Sequence, residues 1–389
     1  MNNKTKSLVL SGAAVALATP MSSALALDDV VGFGAWFNYN YDVDSDASED
    51  RYGDLDFESF NIYANHQHGD WFFDGEVRLG AGSFQVSGAG EDADQAADRN
   101  VIGIKELAIG RHYGEEWTMT VGKTEVPFTY SRFNFWPGER LASGFGDQYN
   151  PGIRFDFDPV NNPMDMSFMY IKSQNWGTDT TSLDDGTLGH WGSNDTYHKI
   201  NTLVADLGFT QGDFRYGASL QAGQLANQNI EDDSGNEITA AEEIETHWAA
   251  GLYTEGTVGA WDLAGQLVHY DQGDIDEFYS GLDNAGIDDD EWFETQGSGQ
   301  VMMLSAGFNA GDWYHYGDLT GRSPDSDFDN LDDTYDLVLG TRYNYGPGWI
   351  YAELQLDNIT GEDDGITGDG DAGDRDSTQA VYLTMDYYF

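Results

Sequence analysis

Cysteine is absent from the 389 residues, so no disulfide and no thiolate-held metal supports the fold. Positive charge is scarce. Against 69 Asp and Glu stand only 17 Lys and Arg, a formal net charge of −52. Such a chain repels a polyanion, which excludes nucleic acid as a partner. Long apolar runs are missing as well: no segment reaches the roughly 18 residues that a membrane helix needs. Aromatic side chains, by contrast, are plentiful, at 14% with 22 Tyr and 11 Trp. Acidic chains poor in aromatics read as disordered. Here the acids gather in loop-like blocks and the aromatics punctuate strand-like ones, which points to an ordered β protein with solvated loops.

Both ends carry signals. Lys4 and Lys6 precede an apolar run from Leu8 to Ala18, then Pro20 and the small-residue end Ala24-Leu25-Ala26. This layout predicts an export signal over 1–26 and a mature chain over 27–389. Loss of Lys4 and Lys6 leaves 15 basic residues and a net charge of −54. At the other end, Val381, Leu383, Met385, Tyr387 and Phe389 share one face of a strand, and Ala380, Tyr382, Thr384, Asp386 and Tyr388 share the other. A buried sandwich strand is one reading. The other is the closing strand of a transmembrane β-barrel, paired with the first strand and turning its apolar face to lipid.

The interior of the sequence favours the barrel. Period-two segments lie near 30–42, 54–68, 70–82, 99–111, 115–124, 150–158, 164–174, 197–210, 213–226, 244–257, 260–272, 299–310, 313–320, 333–345, 348–358 and 377–389. The fold class predicted is all-β: a transmembrane antiparallel barrel of about 16 strands. Short turns such as His68-Gly69-Asp70, Gln211-Gly212-Asp213 and Ala310-Gly311-Asp312 alternate strictly with long acidic segments. A sandwich has no reason for that alternation. A membrane barrel does, with tight periplasmic turns and long external loops. Trp71, Trp117, Phe214, Trp261, Trp313 and Trp349 each follow a Gly-bearing turn within a few residues. With Phe389 they form a candidate aromatic girdle at the lipid–water boundary, where an indole keeps its ring in lipid and its N–H near water.

Alternation also assigns faces. Phe214, Tyr216, Ala218, Leu220 and Ala222 are expected toward lipid, with Arg215, Gly217, Ser219 and Gln221 inside. Ile350, Ala352, Leu354 and Leu356 oppose Tyr351, Glu353, Gln355 and Asp357. Phe73, Val77 and Leu79 oppose Asp74, Glu76 and Arg78. Tyr335, Leu337, Leu339 and Tyr343 oppose Asp336, Gly340, Arg342 and Asn344. An apolar outside around a polar inside predicts a water-filled lumen. The strands near 99–111 and 164–174 alternate poorly, and their faces stay unassigned.

The loop after the fifth strand departs from its acidic peers. Pro127-Phe128-Thr129-Tyr130-Ser131-Arg132-Phe133-Asn134-Phe135-Trp136-Pro137-Gly138-Glu139-Arg140 is aromatic and partly basic. Rings at Phe128, Phe133, Phe135 and Trp136 have little use in bulk water. Folded into the lumen they would pack on the wall and carry Arg132, Glu139 and Arg140 to a constriction. The motifs Gly122-Lys123, Pro127-Phe128, Ser131-Arg132, Glu139-Arg140 and Asn150-Pro151-Gly152 resemble the Porin O and P family of phosphate-selective and related channels. They cover about a tenth of the chain. A wider resemblance to Gram-negative outer-membrane porins covers 27–389, with the terminal Phe389 typical of such proteins. That resemblance implies a homotrimer of channels passing small hydrophilic solutes, an inward-folded third loop, contact with outer-membrane lipid and lipopolysaccharide, and no cofactor. Phosphate-selective members line their pores with many basic residues, and this chain has few.

Among those few, Lys123, Arg132, Arg140, Arg154 and Lys172 lie in or beside the third loop, and alternation points Arg78, Arg154, Arg215 and Arg342 inward. Lys123 shares parity with Val121 and needs a bulge to turn inward. Two readings stand: the arginines set a field across the pore, or they only pair with carboxylates to stiffen the wall. Acidic vestibules favour cations and the basic third-loop region favours anions. Asp369-Gly370-Asp371-Ala372-Gly373-Asp374 is oxygen-rich but lacks the 12-residue calcium-loop pattern with its terminal Glu, so no metal site is assigned. No Gly-x-Ser-x-Gly elbow or His-Glu-x-x-His pair occurs, and an enzyme is not expected. A non-conducting structural or adhesive barrel is the other class.

Overall fold

A computed structural model of the chain describes residues 31–42, 54–80, 101–130, 148–159, 162–173, 197–227, 244–271, 298–324, 333–356, 359 and 379–388. These form sixteen strands. The first eight are β1 (Val31–Asp42), β2 (Asp54–His68), β3 (Trp71–Gly80), β4 (Val101–Tyr113), β5 (Trp117–Glu125), β6 (Tyr149–Phe157), β7 (Met164–Ser173) and β8 (Tyr197–Gln211). The rest are β9 (Phe214–Asn227), β10 (Ile244–Val258), β11 (Trp261–Asp271), β12 (Ser298–Ala310), β13 (Trp313–Pro324), β14 (Thr334–Asn344), β15 (Trp349–Leu356) and β16 (Gln379–Tyr388). Each pairs antiparallel with its sequence neighbours. β16 pairs with β1, from Gly34 opposite Tyr388 to Asp42 opposite Ala380, and closes the barrel. Closure leaves no strand edge unpaired.

The short connections gather at one end. Four are two-residue turns whose first residue is a glycine at positive φ: Gly69 at 62°, Gly212 at 67°, Gly259 at 65° and Gly311 at 71°. That backbone suits a type II′ hairpin, whose twist matches the strands it joins. The long segments between strand pairs leave from the other end.

Burial alternates with period two, and the exposed set is the apolar one. Leu203, Leu207, Phe209, Leu220, Leu252, Leu267, Leu304 and Leu339 are exposed on the outer face. Ser219, Gln221, Gln266, Asp318, Asp336, Glu353, Thr384 and Asp386 are buried on the inner one. The faces expected for β3, β9, β14 and β15 are those found, apart from Asp357, which lies outside the described residues. The two unassigned strands have physical explanations. In β4, Glu76 pairs with Glu106 but Val77 with Ile104, so Lys105 is an extra residue that breaks the alternation. In β7 both faces are apolar: Phe168 and Tyr170 outside, Met169 and Ile171 inside.

β7 also brings a correction. The inner wall is not polar throughout. Met169, Ile171, Val204, Ala249, Val268 and Val301, contributed by β7, β8 and β10 to β12, line one sector of it and cluster with Val126, Phe128 and Tyr270.

Candidate functional site in the barrel interior

After Glu125 the chain turns away from the wall and enters the barrel. Val126, Phe128 and Tyr130 are all buried, at 4%, 3% and 2% exposure. Phe128 packs into the apolar sector, and Tyr130 joins a second cluster with Tyr253, Ala264 and Met303. The phenol of Tyr130 lies 3.3 Å from Ser305 Oγ on β12. The segment thus spans from β5 to strands on the far side of the sheet order. Its base is closed by a hydrogen bond from the Val126 amide to the Gln148 carbonyl, 2.7 Å. The apolar sector therefore has a partner, which accounts for aliphatic side chains facing inward there.

Polar contacts accompany the packing. The Thr129 amide donates to Ser219 Oγ at 2.9 Å. Ser219 in turn donates to Asp206 Oδ1 at 2.6 Å, and Tyr253 donates to Asp206 Oδ2 at 2.8 Å. Arg215 Nη2 reaches Asp206 at 2.7 Å and Asp165 at 2.6 Å, with Glu255 3.6 Å from Nη1. On β8, Lys199 is fully buried and donates to Gln148 Oε1 at 2.5 Å, while Thr202 meets His247 Nε2 at 2.9 Å. Lys199, His247, Asp206 and Tyr253 were not singled out from sequence. Parity along β8 and β10 puts Asp206, His247 and Tyr253 inside, and a register shift in β8 adds Lys199, but only the inward course of Val126–Tyr130 gives them something to hold.

The residues singled out in advance are placed as follows. Arg78 is buried, donates to Glu76 at 2.7 Å and lies 4.7 Å from the Trp36 ring centre. Arg154 donates to Asp156 at 2.8 Å and to the Glu125 carbonyl at 2.9 Å. Arg342 stacks over Tyr314 and Trp349, at 4.5 and 4.6 Å. Lys123 is buried and donates to the Ile104 carbonyl at 2.5 Å. The β5–β6 register runs through it without a shift, and it is the last β5 residue paired with β4, opposite Leu107. Arg132, Glu139, Arg140 and Phe389 lie outside the described residues, as do Phe133, Phe135, Trp136 and the segment 363–376.

Trp71, Trp117, Trp261 and Trp313 are 47%, 41%, 50% and 46% exposed on the outer face at the short-turn end, and Phe214 shares the parity of exposed Tyr216. Trp349 differs. It pairs with Asn344, two residues from the Arg342–Tyr351 pair, and so stands on the inner face. The four-residue link 345–348 shifts parity relative to the two-residue turns. Ser305 and His315 fall on opposite faces, since Ser305 is buried and His315 is exposed beside Thr341. Among the described residues no three His, Asp or Glu side chains converge as a metal site.

Carboxylates outnumber cations on the described inner wall. Asp74, Glu76, Glu106, Asp156, Asp165, Asp206, Glu255, Asp262, Asp318, Asp336, Glu353 and Asp386 face Arg78, Lys105, Arg154, Lys199, Arg215, Arg322 and Arg342.

The closed sixteen-strand barrel is similar in structure to those of Gram-negative outer-membrane porins. OmpF of Salmonella typhi, solved with daunomycin, is similar over 92% of this chain and 97% of its own, at TM-score 0.59 and 9% identity. The outer membrane channel DcaP of Acinetobacter baumannii matches over 92% and 96%, at TM-score 0.57 and 12% identity. OmpT of Vibrio cholerae, in its trimer form, matches over 92% and 98%, at TM-score 0.53 and 11% identity. At these identities the likeness is one of fold. No family model matches the chain, and no curated protein does.

Proposed function

We propose that this chain forms a water-filled channel in the bacterial outer membrane, through which small hydrophilic solutes diffuse passively. The observation that carries the reading is the path of Val126–Tyr130 across the inside of a closed barrel whose outer face is apolar. A segment in that place narrows the lumen and limits solute size. The excess of inner-wall carboxylates favours cations over anions and speaks against phosphate selectivity, the narrower expectation from the Porin O and P resemblance. Assembly as a homotrimer in contact with lipopolysaccharide follows from the same porin resemblance. Arg132, Glu139 and Arg140 belong to the constriction in this reading.

Planar-bilayer recording of the purified protein tests it. Discrete conductance steps are expected, with reversal potentials displaced toward cations in a salt gradient. Replacing Arg132 and Arg140 by neutral residues should raise that preference. Unchanged selectivity would remove both from the constriction. A folded barrel with no conductance would make it a structural or adhesive surface protein.

A further inference from the structure

Thr129 is held at a cost. Its φ is 60°, a conformation that a β-branched residue rarely adopts. Its hydroxyl is buried without a hydrogen-bond partner. Strain of this kind persists only where the surroundings over-determine it, and here three contacts do so. The amide donates to Ser219 Oγ at 2.9 Å. The methyl group lies where Gly251 has no side chain: a Cβ there would sit 2.6 Å from Thr129 Cγ2. The flanking rings of Phe128 and Tyr130 are sunk in two separate apolar clusters.

From Ser219 the bonding continues inward. Its hydroxyl proton is committed to Asp206 at 2.6 Å, which leaves its lone pairs for the Thr129 amide. Asp206 is held in turn by Tyr253 at 2.8 Å and Arg215 at 2.7 Å. The returning limb has its own tie, from the buried Lys199 ammonium to Gln148 at 2.5 Å.

We infer that Ser219, Asp206 and Gly251 are positioning residues that hold Thr129 against the β8–β10 wall, and that Arg215 acts through Asp206 on this contact rather than on passing solutes. Its consequence for permeation rests on the channel reading above. The contact itself does not.

Because the chain has no cysteine, a Thr129→Cys/Gly251→Cys pair in the full-length, detergent-purified barrel reports the contact directly. Oxidation should cross-link the pair in high yield, read as altered mobility on a non-reducing gel and by mass. A Thr129→Cys/Leu252→Cys pair should give none, since Leu252 faces outward. Adding Ser219→Ala or Asp206→Asn should lower the Thr129–Gly251 yield several-fold, and Ser219→Thr should keep it. Folding of each variant is read from its heat-modifiable migration. If Asp206→Asn fails to fold, the Ser219 pair carries the test. Absence of the cross-link in a folded barrel, or an unchanged yield in both Ser219→Ala and Ser219→Thr, overturns the inference. A wild-type barrel that conducts nothing, with the cross-link still forming in the Thr129→Cys/Gly251→Cys variant, overturns the channel reading and leaves the positioning assignment standing.

Discussion

Several tyrosine rings inside the barrel lie against glycines of the neighbouring strand. Tyr253 covers Gly217, Tyr314 covers Gly307 and Tyr316 covers Gly340. The missing Cβ lets the ring lie flat on the sheet, shields the bare backbone and keeps the ring out of the lumen. Gly340→Ala should push Tyr316 off the wall and lower stability by about 1–3 kcal/mol, measured as a lower temperature for loss of heat-modifiable migration. No periodicity rule would have paired Tyr316 with Gly340. Alternation puts both inside, but their contact depends on β13–β14 register. The tryptophans divide on the same ground. In single-tryptophan variants in lipid with brominated chains, Trp71, Trp117, Trp261 and Trp313 should be quenched and Trp349 spared. Quenching of Trp349 to the same depth would show that β15 is turned over. The inward place of Trp349 was implicit in its parity with Tyr351, and the repeated Gly-turn-Trp pattern concealed it.

At the scale of elements, the hairpin turns were the most legible feature and the bulges the least. A Gly-Asp or Gly-Ala pair between two alternating segments sets both turn type and register. Gly311→Ala forces an L-residue to φ 71°, which should cost about 1–2 kcal/mol. The expected sign is a lower unfolding midpoint in denaturant with an unchanged slope. The bulge in β8 has no such signature. Between Ile200 and Leu203 the register shifts, with Asn201 at φ 48°. Asn201 is held there by hydrogen bonds from Tyr170 at 3.0 Å and Lys172 at 2.5 Å, and it donates to Gln224 at 2.8 Å. The shift is what leaves Lys199 on the inner face, beneath Gln148. A sequence reader counting in twos loses the phase at this point, which is why Lys199 went unnoticed.

For the whole molecule, the central question is what fills the interior on the β7–β12 side. The apolar inner sector and the Val126–Tyr130 segment need each other. Phe128→Ala should leave a cavity among Met169, Ile171 and Val301 and cost about 3–5 kcal/mol, seen as a lower unfolding temperature in detergent. It should also loosen the crossing segment, so single-channel records of the variant should be noisier or larger in step. A stability loss with an unaltered current trace would separate packing from pore size. The chain alone determined the barrel, its strand number, the faces of β3, β9, β14, β15 and β16 and the odd character of the third loop, because period-two hydrophobicity and turn chemistry are local properties. Only the tertiary structure decided where Val126–Tyr130 docks, which buried polar groups hold that segment and which way Trp349 points. Those depend on register, bulges and contacts between strands far apart in sequence, and no local pattern encodes them.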